Sequence, residues 1–256
     1  MELTQVQYER IAPLLPRQRG NVSLRAAGAD AILCVAGHGC KWRGLPERFG
    51  NWHTIYTRMN RWSKNGVLDR VFEHLQRERM IWIRVEVLSL DSTSIKVHPD
   101  GTGALGKNGP QCIGKSRGGW TAKLHLAVAD ARTVVAFALS PGNVHDAPQG
   151  RRLLKRLNRP SNRPALVMDR ACEDDVARRL AADLGFAPVV PPKSNRTAPW
   201  GCDRETYKRR NEVERLFRRL KGFRQVFSRF EKLDVMFLGF VVFALIIEAL
   251  RSVDTP

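Results

Sequence analysis

Val85-Glu86-Val87-Leu88-Ser89-Leu90-Asp91 is a short apolar run that stops on a carboxylate. Before it, to about residue 80, apolar residues recur at helical spacing and are punctuated by Gly, Pro or Asn. After it the pattern turns to short strands. Residues 121–129 alternate as a strand, and 134–139 follow after a turn at Asp130-Ala131-Arg132. A helix over about 147–157 comes next, then a strand at 165–168 that also ends on an aspartate, Asp169. A helix over 174–184, a strand at 187–190 and a long helix over about 206–222 complete the series. The order β-β-β-α-β-α-β-α predicts a mixed α/β sheet rather than a regular βαβ repeat. The apolar stretch at 85–90 is therefore a boundary, with an all-helical domain over 1–84 and an α/β domain over 85–256.

In the helical part, Thr4 can cap a helix running to about Leu15, and 24–37 fits a second helix. A turn over Leu45 to Gly50 leads to Asn51, a cap for Trp52 to Lys64, and Val67 to Met80 forms one more helix. A short helix, a Gly-containing turn and a second helix bearing Arg58, Arg61 and Lys64 have the outline of a helix-turn-helix, in which these cations contact a DNA groove or its phosphates. An ordinary small helical bundle has the same outline.

The 256 residues carry 43 Lys and Arg against 25 Asp and Glu, a formal charge of +18. The excess is +6 over 1–86, +8 over 87–200 and +4 over 201–256, so no detachable basic arm holds it. An extended basic surface built from folded parts points to a polyanion, as for a protein that lies along nucleic acid, with phosphates as the counter-charge. With 43% hydrophobic residues, a disordered tail or a collagen-like fibre is excluded. Five cysteines with no C-x-x-C pair signal neither a disulfide framework nor a zinc knuckle. The first residues lack the basic and apolar regions of a signal peptide. Residues 235–247 form the one long apolar run, short of the roughly 17–25 residues of a membrane helix, which reads as a buried C-terminal helix. A cytoplasmic, nucleoid-associated protein with no membrane partner follows. The segment Gly109 to Ser116 matches a P-loop pattern literally, but it lies in a glycine-rich loop and opens a strand instead of a helix, which argues against nucleotide binding.

Asp91 and Asp169 each follow a short apolar strand. Carboxylates at such ends can converge at the edge of a sheet, although for either one alone a turn cap is the favoured reading. On a continuous final helix, at about 100° per residue, Tyr207, Arg210, Glu214 and Lys221 share one stripe while Val213, Leu216, Phe217 and Leu220 form the packing face. Glu214 then stands at the border of core and cleft, where a solvated stripe of i,i+4 ion pairs is the simpler alternative. Asp91, Asp169 and Glu214 together suit two Mg²⁺ ions, with Mn²⁺ as a substitute, for phosphoryl transfer on a DNA backbone.

At this point the chain resembles bacterial insertion-sequence transposases of the DDE class, closest to the insertion-sequence-five family. The resemblance rests on Gly39-Cys-Lys-Trp-Arg-Gly-Leu-Pro-Glu-Arg-Phe-Gly-Asn-Trp52, Leu90-Asp-Ser-Thr-Ser-Ile-Lys-Val-His98, Gly114-Lys-Ser-Arg-Gly-Gly119 and Gly142-Asn-Val-His-Asp146. It rests most specifically on Tyr207-x-x-Arg210-x-x-x-Glu214-x-x-x-x-x-x-Lys221, the Tyr-Arg-Glu-Lys signature of these enzymes. The resemblance implies an RNase H-like catalytic domain in which Asp91, Asp169 and Glu214 are catalytic and hold the metal. It implies DNA contacts near the cut ends from Tyr207, Arg210 and Lys221, with Lys115, Arg117 and Arg218 nearby. One departure is visible: Cys172 replaces the tyrosine that usually follows the second aspartate.

The expected function is a transposase that binds the terminal inverted repeats of its element, cuts the ends and joins the freed 3′-hydroxyls to target DNA, as a homodimer or larger assembly. Two other classes share much of the pattern: a catalytically inactive DNA-binding regulator, and an RNase H-like nuclease without strand transfer.

Overall fold

The computed structural model describes residues 2–16, 26–81, 85–170 and 174–251. Cys172 and the start of the helix expected at 24–37 lie outside these residues. The described chain packs into two units. One takes its residues from Glu78–Ile95 and Cys112–Arg218, the other from Met1–Arg77, Lys96–Gln111 and Arg219–Pro256.

The first unit is built on a sheet. Its strands are β1 (Val87–Val97, the last two residues in the other unit), β2 (Gly114–Ser116), β3 (Gly119–Asp130), β4 (Thr133–Pro141), β5 (Ala165–Met168) and β6 (Ala187–Val189). The path runs β2-β3-β1-β5-β6, and β4 pairs with β3. The β3–β4 hairpin is antiparallel and closes on Asp130, whose Oδ1 accepts from the N–H groups of Arg132 (2.7 Å) and Thr133 (2.9 Å). On the other side of β1, β5 and β6 run parallel to it, with Val87 opposite Ala165 and Leu90 opposite Met168. An antiparallel hairpin on one side of the first strand and parallel strands on the other is the RNase H-like arrangement that the resemblance implies.

Two helices, α5 (Asp146–Leu154) and α6 (Asp175–Asp183), cover a face of this sheet. Leu88, Leu90, Leu166 and Met168 from the parallel pair meet Leu153, Leu154 and Ala181 from the helices, all nearly or fully buried. Each large side chain removed from water here stabilises the fold by about 1.5–3 kcal/mol. The alternation of β1 thus points Leu88 and Leu90 inward, and Asp91 comes next.

Two expectations are corrected. Asp91 does not end its strand: β1 continues six residues beyond it, to Val97, whereas β5 stops at Met168. Asp91 therefore sits where β1 outruns its parallel neighbour. The final helix is also not continuous. It divides into α7 (Arg204–Lys208), capped by Asp203, and α8 (Asn211–Lys221). Across Arg209 and Arg210 the backbone tightens into i→i−3 bonds, Arg209 N–H to Thr206 C=O and Arg210 N–H to Tyr207 C=O, both 3.0 Å. The Arg209 carbonyl accepts from the Glu212 N–H at 3.0 Å and also from the Ser89 hydroxyl, on β1, at 3.3 Å, which ties the break to the sheet. The P-loop match also has no phosphate cradle, since Gly114-Lys115-Ser116 is strand β2 paired with β3.

The second unit holds α1 (Gln5–Ile11), α2 (Ala26–His38), α3 (Trp52–Lys64) and α4 (Val67–Ile81, its last residues in the sheet unit), together with α9 (Arg224–Phe227), β7 (Ser228–Arg229) and α10 (Asp234–Arg251). Thr4 and Asn51 cap α1 and α3 as expected. The apolar run at 235–247 lies within α10, which is buried almost all round and packs on α3. Gly239 makes this approach possible, because a Cβ there would fall 2.1 Å from the Ser63 hydroxyl. Arg229 is fully buried and donates to Asp234 Oδ1 (2.8 Å) and to the carbonyls of Glu231 and Lys232. Among the described residues no helix is long and apolar enough to cross a membrane.

Candidate active site

β1 and β5 lie side by side in parallel register, so the residue after Leu90 and the residue after Met168 come to the same level on adjacent strands, which are about 4.8 Å apart. These residues are Asp91 and Asp169. They line one small cleft with Leu90, Ser92, His125, Asp146 and Gly150. The tightened turn before α8 brings Arg210 to the same place. Its Nη1 donates to Asp91 Oδ2 at 2.5 Å and its Nη2 to Glu214 Oε1 at 2.6 Å. One guanidinium thus bridges the first strand and the final helix across 119 residues of sequence.

The electrostatics follow from this crowding. Asp91 is mostly buried, and burial is the main reason that its carboxyl is pushed up to about 6; the charges of Asp169 and Glu214 add to the rise. The Ser92 N–H (2.7 Å to Oδ1) and Arg210 oppose it without cancelling it. Burial alone would lower the Arg210 pKa, but Asp91, Glu214 and Asp169 outweigh it and hold the guanidinium more firmly charged. Burial also raises the Tyr207 hydroxyl, whose surroundings include Arg210, Asp169, Arg170 and Asp91. Tyr207, Arg210 and Glu214 therefore meet at one place even though the helix that was to carry them is broken.

Divalent cations can be tested against this arrangement. Among the described residues no three carboxylate, His or Cys side chains stand close enough to hold an ion as placed. Arg210 occupies the position between Asp91 and Glu214. The chemistry of the donors nevertheless fits Mg²⁺ or Mn²⁺, because all three are hard carboxylate oxygens of the kind these ions take.

The other residues expected at the site are distributed more widely. Lys115 on β2 and Arg117 in the turn after it are exposed in the sheet unit, as is Arg218 on α8. Lys221 closes α8 and belongs with the helical unit. On α3, Arg61 and Lys64 are exposed, while Arg58 is half-buried, where burial and then Arg61 lower its pKa against the influence of Tyr8.

Some lining residues were not anticipated. His145 holds the cap position of α5, and the carboxylate of Asp146, the first residue of that helix, accepts from Lys123 Nζ at 3.0 Å. Lys123 also donates to the Val144 carbonyl at 2.9 Å. His125 is buried against the Ser140 hydroxyl (2.9 Å), and burial lowers its pKa. The period-2 alternation of β3 places Lys123 and His125 on one face, the signal that could have found them.

Comparison with known proteins adds to this geometry. The family described as "Putative transposase of IS4/5 family" matches residues 3–72, and the family "Transposase DDE domain" matches residues 84–199. The second range contains Asp91 and Asp169 and stops before Glu214. A protein of Brucella ovis named "Putative transposase for insertion sequence element IS6501" is 30% identical over 122 residues, 47% of this chain and 92% of that one. The "Uncharacterized protein y4sN" of Sinorhizobium fredii is 36% identical over 102 residues, 38% of this chain and 78% of that one. Among solved structures, a Mos1 transposase paired-end complex with left transposon end is similar at a TM-score of 0.30 and 15% identity, over 83% of this chain and 79% of that one.

Proposed function

Because the chain belongs to the insertion-sequence transposases with a DDE domain, we propose that Asp91, Asp169 and Glu214 are the three carboxylates that give this family its catalysis. The observation that carries the proposal is the Arg210 fork, which joins Asp91 to Glu214 while the strand register sets Asp169 beside them. Two Mg²⁺ ions held by these carboxylates would activate water or a DNA 3′-hydroxyl and stabilise the leaving oxygen of an in-line displacement.

The chain's own residues prepare the site for a polyanion. Asp91 is oriented by the Ser92 N–H, and the Ser89 hydroxyl fixes the turn that presents Arg210. Arg210 balances the carboxylates in the free chain and is placed to offer its guanidinium to a DNA phosphate, with Tyr207 beside it. Lys115, Arg117, Arg218 and Lys221 supply further cationic contacts near the cut ends. Residues 1–84 form the DNA-reading domain, with Arg58, Arg61 and Lys64 on α3 facing the terminal inverted repeats, and 85–256 the catalytic one. The substrate is double-stranded DNA, both element ends and target, in the bacterial cytoplasm at the nucleoid. Holding two ends at once calls for a homodimer or larger assembly.

The test is incubation with labelled duplexes carrying the inverted repeats that flank the coding sequence, with Mg²⁺ or Mn²⁺, beside Asp91→Ala and Glu214→Gln. The intact protein should nick and join these ends and both variants should bind without cutting. Binding without cutting by the intact chain under any divalent cation refutes catalysis; cutting by both variants refutes this choice of carboxylates.

A further inference from the structure

The sheet unit carries a second cleft, of about 510 Å³, between α5 and α6. Arg151 and Arg152 line it from α5, Lys155 from the C-cap of that helix, and Arg179 and Asp183 from α6. Arg151 is tied at 2.7 Å to Asp174, which caps α6. Arg152, Lys155 and Arg179 are exposed, and none has a carboxylate partner among the described residues. Like charges three and four residues apart disfavour a helix. α5 accepts that cost on its open side while Leu153 and Leu154 anchor the other side in the core.

We propose that this cleft holds the phosphate backbone of duplex DNA irrespective of sequence, and that the duplex it holds is the target. The proposal rests on the transposase reading above for the word target, and on the geometry for the word backbone. The cleft's lining contains no Asn, Gln, Ser or Thr; beside the carboxylate of Asp183 and the apolar Pro148, Val176 and Leu180 it offers the cations of Arg151, Arg152, Lys155 and Arg179, which suit phosphates. Phosphate contacts of this kind position a duplex and read no sequence. Such a surface suits DNA met at many sites and is poorly suited to a defined terminal repeat. Helix α5 borders both clefts: Gly150 lines the Asp91 cleft and the next residue, Arg151, lines the basic one.

The test uses the full chain with Arg152→Gln, Lys155→Gln and Arg179→Gln combined, beside a charge-preserving Arg152→Lys, Lys155→Arg, Arg179→Lys variant. The thermal midpoint verifies the fold, since the three side chains are exposed. For a duplex of arbitrary sequence, the slope of log K against log salt should become shallower by about 2–3, because each phosphate neutralised contributes about 0.9. Joining of pre-cut ends to a plasmid should fall at least tenfold at 0.15 M salt, while cutting of labelled ends stays within about threefold. The charge-preserving variant should behave as the parent. An unchanged slope with unchanged joining overturns the proposal. So does a loss of end cutting in step with joining, which would assign the cleft to the element ends. The salt slope reads the cleft even for a chain that cuts nothing, so failure of the catalytic reading is distinguishable from failure of this one.

Discussion

Arg210 and Asp91, 119 residues apart in sequence, are joined by a 2.5 Å ion pair in which the aspartate is 13% exposed. The same guanidinium holds Glu214 at 2.6 Å, so one side chain supplies the counter-charge for two carboxylates while a third stands beside them. Removing one partner of a partly buried pair leaves uncompensated charge, at a cost of about 1–3 kcal/mol. Arg210→Ala should therefore melt lower than the parent at pH 8 in EDTA and recover with Mn²⁺, showing a larger metal-induced shift than the parent. Equal midpoints in EDTA would show that the bridge does not support the fold.

Asp91 also makes a pH prediction. The folded chain holds its proton up to about pH 6, more tightly than an ordinary aspartate near 3.9. Its contribution to stability is complete below about pH 4 and is lost as pH rises through 6. The two-unit shift is worth at most about 3 kcal/mol. Asp91→Asn lacks this loss, so its melting midpoint relative to the parent should grow from near zero at pH 4 to several degrees at pH 7.5 in EDTA. A constant difference across that range would contradict the raised pKa.

End cutting should fall by more than the roughly 100-fold that outer contacts to a metal cost when any of Asp91→Asn, Asp169→Asn or Glu214→Gln is introduced. Binding to end DNA, followed by gel shift in Ca²⁺, should persist. An Asp169→Asn enzyme that cuts at the parental rate would remove Asp169 from the site.

In the helical unit, Arg229→Ala strips the partner from Asp234 inside the core. Loss of one member of a buried pair costs about 3–5 kcal/mol. Urea unfolding should show that loss, whereas Arg229→Met with Asp234→Leu should recover much of it; a single variant as stable as the parent would mean that the pair is dispensable.

On α3, Arg61→Gln and Lys64→Gln should each reduce the salt slope of DNA binding by about 1, because each removes one phosphate neutralised. Unchanged slopes would detach α3 from DNA.

Local chemistry made much of this chain legible. Asn51 capping Trp52 to Lys64, the strand at 165–168 and the apolar run at 235–247 are written in period and cap, which depend on near neighbours in sequence. The paired Leu-x-Leu-Asp and Leu-Val-Met-Asp endings marked two of the three carboxylates for the same reason. Other features are set by groups far apart in the chain. The extension of β1 past Asp91, which pairs with β7, the break between α7 and α8 at Arg209 and Arg210, and the ion pair from Asp146 to Lys123 each satisfy a hydrogen bond or charge whose partner lies 23 to 132 residues away. Sequence determined that Asp91, Asp169 and Glu214 are candidates. Tertiary structure alone decided that Arg210 stands between two of them, because burial made an unpaired Asp91 carboxylate costly and the turn before α8 brought the guanidinium within reach of both.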